Sequence, residues 1–237
     1  MGGLQLNRRI LIAIIVILAV SGAGTAVYYM LLTQNNALPV TGTLMFQSDV
    51  AGVTVTILGP NETLRTGVVG ENLQLSFTGL PDGNYTAIAT KDGYSSSDMY
   101  GMSIRNGGMT TVPFSIFAIP SEQPLYLSTN PSAIIIRQGS SGIVTFNVTS
   151  TNDYAGAVSF SFVYYSQLPG GVTGGLPSGV TASFDPASVT VTAGGKASSI
   201  LTLTVSSTAT KGVYTLFVET NHEQGGIGGT VLLLQVS

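Results

Sequence analysis

The stretch that decides the fold is LQLSFTGLPDGNYTAIATK, residues 73–91. Leu73, Leu75 and Phe77 alternate with polar residues, and Tyr85, Ala87 and Ala89 recur at the same spacing of two. A period of two puts every second side chain on one face, which is the mark of a half-buried strand. Between the runs lies Pro81-Asp82-Gly83-Asn84, a set of residues that favours a tight turn. The two runs therefore read as consecutive strands joined as a hairpin. A lone hairpin is marginal in water, so more strands must complete a core.

Further strands flank the pair. VTGTLMF (40–46), GVTVTIL (52–58), MYGMSIR (99–105) and TTVPFSIF (110–117) repeat the alternation. Gly59-Pro60-Asn61 and Asn106-Gly107-Gly108 break it. Short strands at this spacing predict a β-sandwich over 38–118. A linker follows at 119–124, short and stiffened by Pro120 and Pro124. From 125 to 237 the pattern resumes with LYLST (125–129), AIIIR (133–137), GIVTFNVTS (142–150), GAVSFSFVYY (156–165), VTASF (180–184), SVTVT (188–192), SSILTLTVS (198–206), a run across 213–221 and TVLLLQV (230–236). This predicts a second sandwich. Its loop Gln167–Gly179 is long for a sandwich connection and reads as a functional or a mobile segment.

Composition agrees with an all-β chain. Charged residues are 8% of the 237, against roughly a quarter in ordinary proteins. The apolar fraction of 44% argues against disorder. A net charge of −3 with singly scattered Lys and Arg gives no basic stripe, so no nucleic-acid partner is expected. The absence of cysteine excludes disulfides and thiolate chemistry. A surface of hydroxyls and amides changes little with pH, which hints at an acidic or harsh exterior.

The N-terminus points outward from the cell. After MGGLQLNRR, residues 10–32 carry no charge and are long enough to cross a bilayer. Arg8 and Arg9 hold the cytoplasmic side, which places the rest outside. Ile10–Val20 has the length of a signal-peptide apolar region, and small residues follow at Ala23, Gly24 and Ala26, the expected cleavage region. The alternative is an uncleaved anchor that ends near Leu32. If cleavage occurs, Val27, Tyr28, Tyr29, Met30, Leu31 and Leu32 head the mature chain. A free apolar run of this kind needs burial, and strand addition into a neighbouring copy supplies it. Repeated head to tail, such a contact builds an open filament.

Little else carries chemistry. The only histidine, His222, falls in a turn-like stretch, and no nucleophile-elbow pattern is present. Carboxylate pairs such as Asp92 with Asp98, or Glu219 with Glu223, arise by chance among eleven acids. Asp82, Asp92 and Asp98 are the candidates for calcium, without a loop signature behind them. No catalytic set and no metal-ligand set is therefore assigned, and no cofactor is expected beyond glycans. Three Asn-x-Ser/Thr sequons occur, at Asn61, Asn84 and Asn147.

Three resemblances add to this reading. Gly52-Val53-Thr54-Val55, then Phe77 through Thr86, then Asp92-Gly93-Tyr94 make the first stretch resemble carboxypeptidase-regulatory-like, or transthyretin-like, domains. That likeness implies a structural and binding module. Asn130-Pro131, then Leu176 through Pro186, then Thr210 through Thr215 make the second stretch resemble archaeal and bacterial extracellular Ig-like modules. The layout as a whole resembles archaeal thread-type filament subunits, which assemble by donor-strand insertion. It also resembles archaeal type IV pilins, although Ile10 directly follows Arg9 where those precursors carry a small residue.

The expectation is thus an all-β, non-enzymatic, extracellular chain of two Ig-like or transthyretin-like sandwiches. Its divisions are a signal or anchor at 1–26, a candidate donor strand within 27–37, and sandwiches at 38–118 and 125–237. The partners expected are copies of itself, and the membrane during export or as an anchor. The alternatives are an anchored stalk or adhesin, and a pilin-like subunit that uses 10–32 as a core helix.

Overall fold

The structure is a computed structural model that describes residues 40–120, 123–151, 153–167, 172–221 and 228–237. Every element among them is a strand. The first seven are β1 (Thr41–Ser48), β2 (Thr54–Gly59), β3 (Thr63–Val68), β4 (Gln74–Pro81), β5 (Gly83–Thr90), β6 (Ser97–Ile104) and β7 (Met109–Phe114). They form two sheets, ordered β4-β1-β7 and β3-β2-β5-β6. β1 pairs antiparallel with β4 and parallel with β7. The inward residues are those the alternation marks: Leu44, Phe46, Val55, Ile57, Phe77, Tyr85, Ala87 and Ala89 share one core.

The structure corrects the reading of residues 73–91. β4 and β5 do not pair; they lie in opposite sheets of the sandwich. The chain crosses between sheets at Pro81–Gly83, where Gly83 adopts φ 147°, a region favoured by glycine. The Tyr85 hydroxyl donates to the Pro81 carbonyl at 2.7 Å and holds the corner. Alternation marks which face is buried but not which strand lies alongside. β3 is a second difference, since no apolar alternation announced it. It is an edge strand with Leu64 and Val68 exposed, and its register on β2 gives it its place.

The remaining strands are β8 (Leu125–Asn130), β9 (Ala133–Ile136), β10 (Ser141–Ser150), β11 (Gly156–Gln167), β12 (Val172–Gly174), β13 (Val180–Asp185), β14 (Ser188–Val191), β15 (Lys196–Val205), β16 (Gly212–Asn221) and β17 (Gly229–Val236). One sheet runs β13-β15-β10-β8 and the other β12-β11-β16-β17-β9, with β14 also on β11. The chain changes sheet at Asn130-Pro131 and Asp185-Pro186, both cis. The long loop contains the short strand β12. Tyr214, near the start of β16, donates to the Thr210 carbonyl at 2.8 Å. This is the tyrosine corner of Ig-type sandwiches. Tyr214→Phe is expected to cost about 1 kcal/mol, the net worth of one hydrogen bond, and denaturant unfolding measures it.

The two sandwiches share a third apolar layer. Leu58 and Ile88, on the outer face of sheet β3-β2-β5-β6, pack with Ala133, Val231 and Leu233 of the second sandwich. Ile135, Val213 and Phe217 flank them. The order is therefore four stacked sheets, and the two inner ones are covered on both faces along β2, β5 and β17. This explains the unbroken burial of β2 and β17. Each fully buried aliphatic side chain in this layer contributes about 1.5–3 kcal/mol. Polar contacts trim its rim: Ser132 Oγ to Thr56 Oγ1 at 3.2 Å, Tyr100 to Thr215 Oγ1 at 3.0 Å, and Arg137 to Glu62 at 3.4 Å. The last is an exposed ion pair, a class that contributes little. Thr41–Ser237 form one compact unit.

Candidate functional site

The apolar hexad Val27–Leu32 and the cleavage region at Ala23, Gly24 and Ala26 lie outside the described residues, as does His222. The sheet edges among the described residues are where a strand-addition contact would form. Such a contact needs a sheet edge with free backbone groups and an apolar surface beneath it. Three of the edges are blunted. Arg65, on β3, donates to the carbonyls of Thr78 and Gly79 at 2.7 and 3.5 Å, covering the edge of β4 at its bulge. β7 carries Pro113, which has no N–H to offer. β6 is bulged near Gly101, which has φ 70°.

β13 differs from these. It pairs with β15 through all six residues, Val180–Asp185, and no other described strand lies along it. It holds no proline, and its one charge is at its last residue. On the facing sheet, β14 pairs with β11 over Gly156–Ser159 and β12 over Tyr164–Ser166, and among the described residues no strand pairs with Phe160–Phe162 on that side. Phe160, Phe162 and Phe184 are half-buried there. Phe184 stacks on Phe160 at 4.8 Å and on Phe162 at 5.8 Å, and meets Phe146 edge-on at 5.3 Å. The open side of the second sandwich is thus a free strand edge above a ring cluster.

The sequons occupy a turn, a strand start and a mid-strand position. Asn61 is exposed in the β2–β3 turn with φ 55°. Asn84 is exposed at the start of β5, but its Thr86 is buried. Asn147 is half-buried on the outer face of β10, opposite Ser128 on one side and Ser198 on the other. It borders a polar cleft of about 530 Å³ whose walls include Asp92, Tyr94 and Tyr126. Burial, with the Asp92 charge as a lesser cause, pushes the Tyr126 phenol up to about 12.

The acidic candidates are dispersed. Asp82 accepts hydrogen bonds from the backbone N–H groups of Asn106 and Gly107. Asp98 accepts one from the Tyr100 hydroxyl. Among the described residues, no three His, Asp or Glu side chains gather as a metal site would require.

Burial raises the Asp98 carboxyl above its ordinary value, and a hydrogen bond from its own backbone N–H opposes this. The native state therefore holds this proton more tightly than the unfolded chain. The resulting stability is present below the unfolded value, about 4, and is lost as pH rises through the folded value. Glu62 works in the opposite sense, lowered by the nearby Ser237 hydroxyl and by Arg137, but it is exposed and screened. Asp98→Asn is expected to flatten the decline in stability across the carboxylate range, as read from denaturant midpoints against pH.

No family model matches the chain, and no curated protein matches it. Solved structures do align. A family 123 glycoside hydrolase from Clostridium perfringens aligns over 48% of this chain at 10% identity and a TM-score of 0.37, and this chain spans 27% of its length. BcpA, the major pilin subunit of Bacillus cereus, aligns over 83% of this chain and 69% of its own, at 11% identity and a TM-score of 0.26. SpaD, a major pilin from Corynebacterium diphtheriae, aligns over 82% and 64%, at 14% identity and a TM-score of 0.28.

Proposed function

We propose that this chain is a structural subunit of an extracellular or cell-surface assembly, joined to its neighbours by strand addition. In this reading Val27–Leu32 of one copy lies along β13 of the next and covers Phe160, Phe162 and Phe184. The observation that carries it is the unblunted six-residue edge of β13 above that half-buried ring cluster. A six-residue apolar run from the N-terminus matches that edge in length, and each needs the burial the other offers. The scarcity of charge and the single histidine support a non-enzymatic role. The apolar segment behind Arg8-Arg9 supports export, with the membrane as partner during passage or as a lasting anchor. N-linked glycans are proposed at Asn61, Asn84 and Asn147.

Deleting Tyr28–Leu32 from the exported protein tests the joint. Loss of polymers in electron micrographs, with a folded monomer remaining, is the expected result; polymers that persist overturn it. The native N-terminal residue separates the alternatives. A start near Gly24 or Val27 favours strand addition, a start at Ile10 favours a pilin-like helix, and an intact N-terminus favours the anchored stalk.

A further inference from the structure

The chain contains one Asn-Gly bond, Asn106-Gly107, at the turn between β6 and β7. This dipeptide is the most prone of all to spontaneous deamidation, because glycine leaves its backbone nitrogen open to rotate and attack. In that reaction the Gly107 nitrogen loses its proton and bonds to the Asn106 side-chain carbonyl carbon. The amide nitrogen leaves as ammonia, taking up the proton. The cyclic imide then adds water and opens to aspartate, or to isoaspartate with the chain rerouted through the side chain. No oxidant or cofactor is needed.

We infer that Asp82 guards this bond, which makes Asn106 a modification site held closed by the fold. Asp82 lies in the crossing between β4 and β5, far from Asn106 in sequence. Its carboxylate accepts from the Asn106 N–H at 2.6 Å and from the Gly107 N–H at 3.0 Å. The second contact acts on the nucleophile itself. A hydrogen bond to a carboxylate engages that N–H, and the adjacent negative charge opposes its loss of a proton. The turn is pinned as well. Asn106 and Gly107 both adopt left-handed conformations, with φ 52° and 66°, and Gly108 N–H donates to the Arg105 carbonyl at 3.0 Å.

Opening the guard would have consequences beyond one side chain. The Gly108 carbonyl accepts from the Thr43 N–H at 3.1 Å, so the turn is tied to β1, the central strand of its sheet. A Cβ placed on Gly42 would overlap that same carbonyl, so no slack exists there. Isoaspartate adds a backbone methylene to this turn, and either product sets a new carboxylate beside Asp82. The guarded bond therefore acts as a clock on the first sandwich, stopped while the β4–β5 crossing stays docked on the β6–β7 turn.

The test follows the mass of the Asn106 peptide while the intact protein is incubated in mildly alkaline buffer, with isoaspartate read by enzymatic methylation. Wild type, Asp82→Asn and wild type in denaturant are compared, and circular dichroism confirms that the variant is folded. Folded Asp82→Asn is expected to deamidate roughly tenfold faster than folded wild type, the factor set by one charge-assisted hydrogen bond. Denatured wild type should be at least as fast as that variant. Equal rates in folded wild type and folded Asp82→Asn overturn the inference. If the variant does not fold, equal rates in native and denatured wild type overturn it instead.

Discussion

Leu233→Ala is expected to lower stability by about 2–5 kcal/mol, as truncation of a buried leucine does when its site cannot collapse. Leu233 is fully buried in the layer between the sandwiches. It sits in β17 with strands paired on both sides, opposite Ala133 and Thr215, and its own N–H donates to the Ser132 carbonyl at 3.0 Å. The backbone around it is thus fixed, and the cavity stays open. For a unit of this size each kcal/mol shifts Tm by roughly 2–4 °C, so a fall on the order of 10 °C is expected in a thermal scan. Leu64→Ala is the control, because Leu64 is 43% exposed on β3. Surface truncations of that kind stay within about 0.5 kcal/mol. If the two variants behave alike, the shared layer adds nothing to stability.

The second large effect is expected at Gly42. A methyl there would overlap the Gly108 carbonyl oxygen and the Ile104 Cγ2. The oxygen belongs to the backbone and is bonded to Thr43, so it has nowhere to go. Gly42→Ala must push the β6–β7 turn off β1, and overpacking of this kind costs about 1–3 kcal/mol. Gly174→Ala is the matched control: among the described residues its methyl would meet only the Val163 carbonyl, at 3.8 Å. Urea midpoints that fall for Gly42→Ala and hold for Gly174→Ala are the expected outcome. A Gly42→Ala midpoint as high as wild type would show that the turn yields without cost.

Only part of the candidate site was legible beforehand. Val27–Leu32 stands out in the sequence because an apolar run on an exported chain needs a cover. The proposed acceptor could not be read in the same way. VTASF looks like any other strand, and its open edge depends on which strands pair beside it. The pairing of Asp82 with Asn106 was hidden for the same reason, since the two are joined only through the crossing between sheets. Arg65 reads as a scattered charge until β3 sets it against the carbonyls of β4.

What the sequence determined by itself is strand identity and the buried face, because side chains alternate across a strand whatever lies beside it. Leu44, Phe46, Phe77, Tyr85, Val144 and Phe146 reach the core on that rule alone. The burial of Leu232, Leu233 and Leu234 in succession is a different matter, because it needs cover on both faces, which alternation does not announce. Neighbours were decided only by the tertiary structure. The runs in 73–91 share a core yet occupy opposite sheets, and the sandwiches stack through Leu58, Ile88 and Leu233. Periodicity is a property of one strand, while pairing and stacking are choices among many strands. Those choices are settled by the burial they jointly achieve.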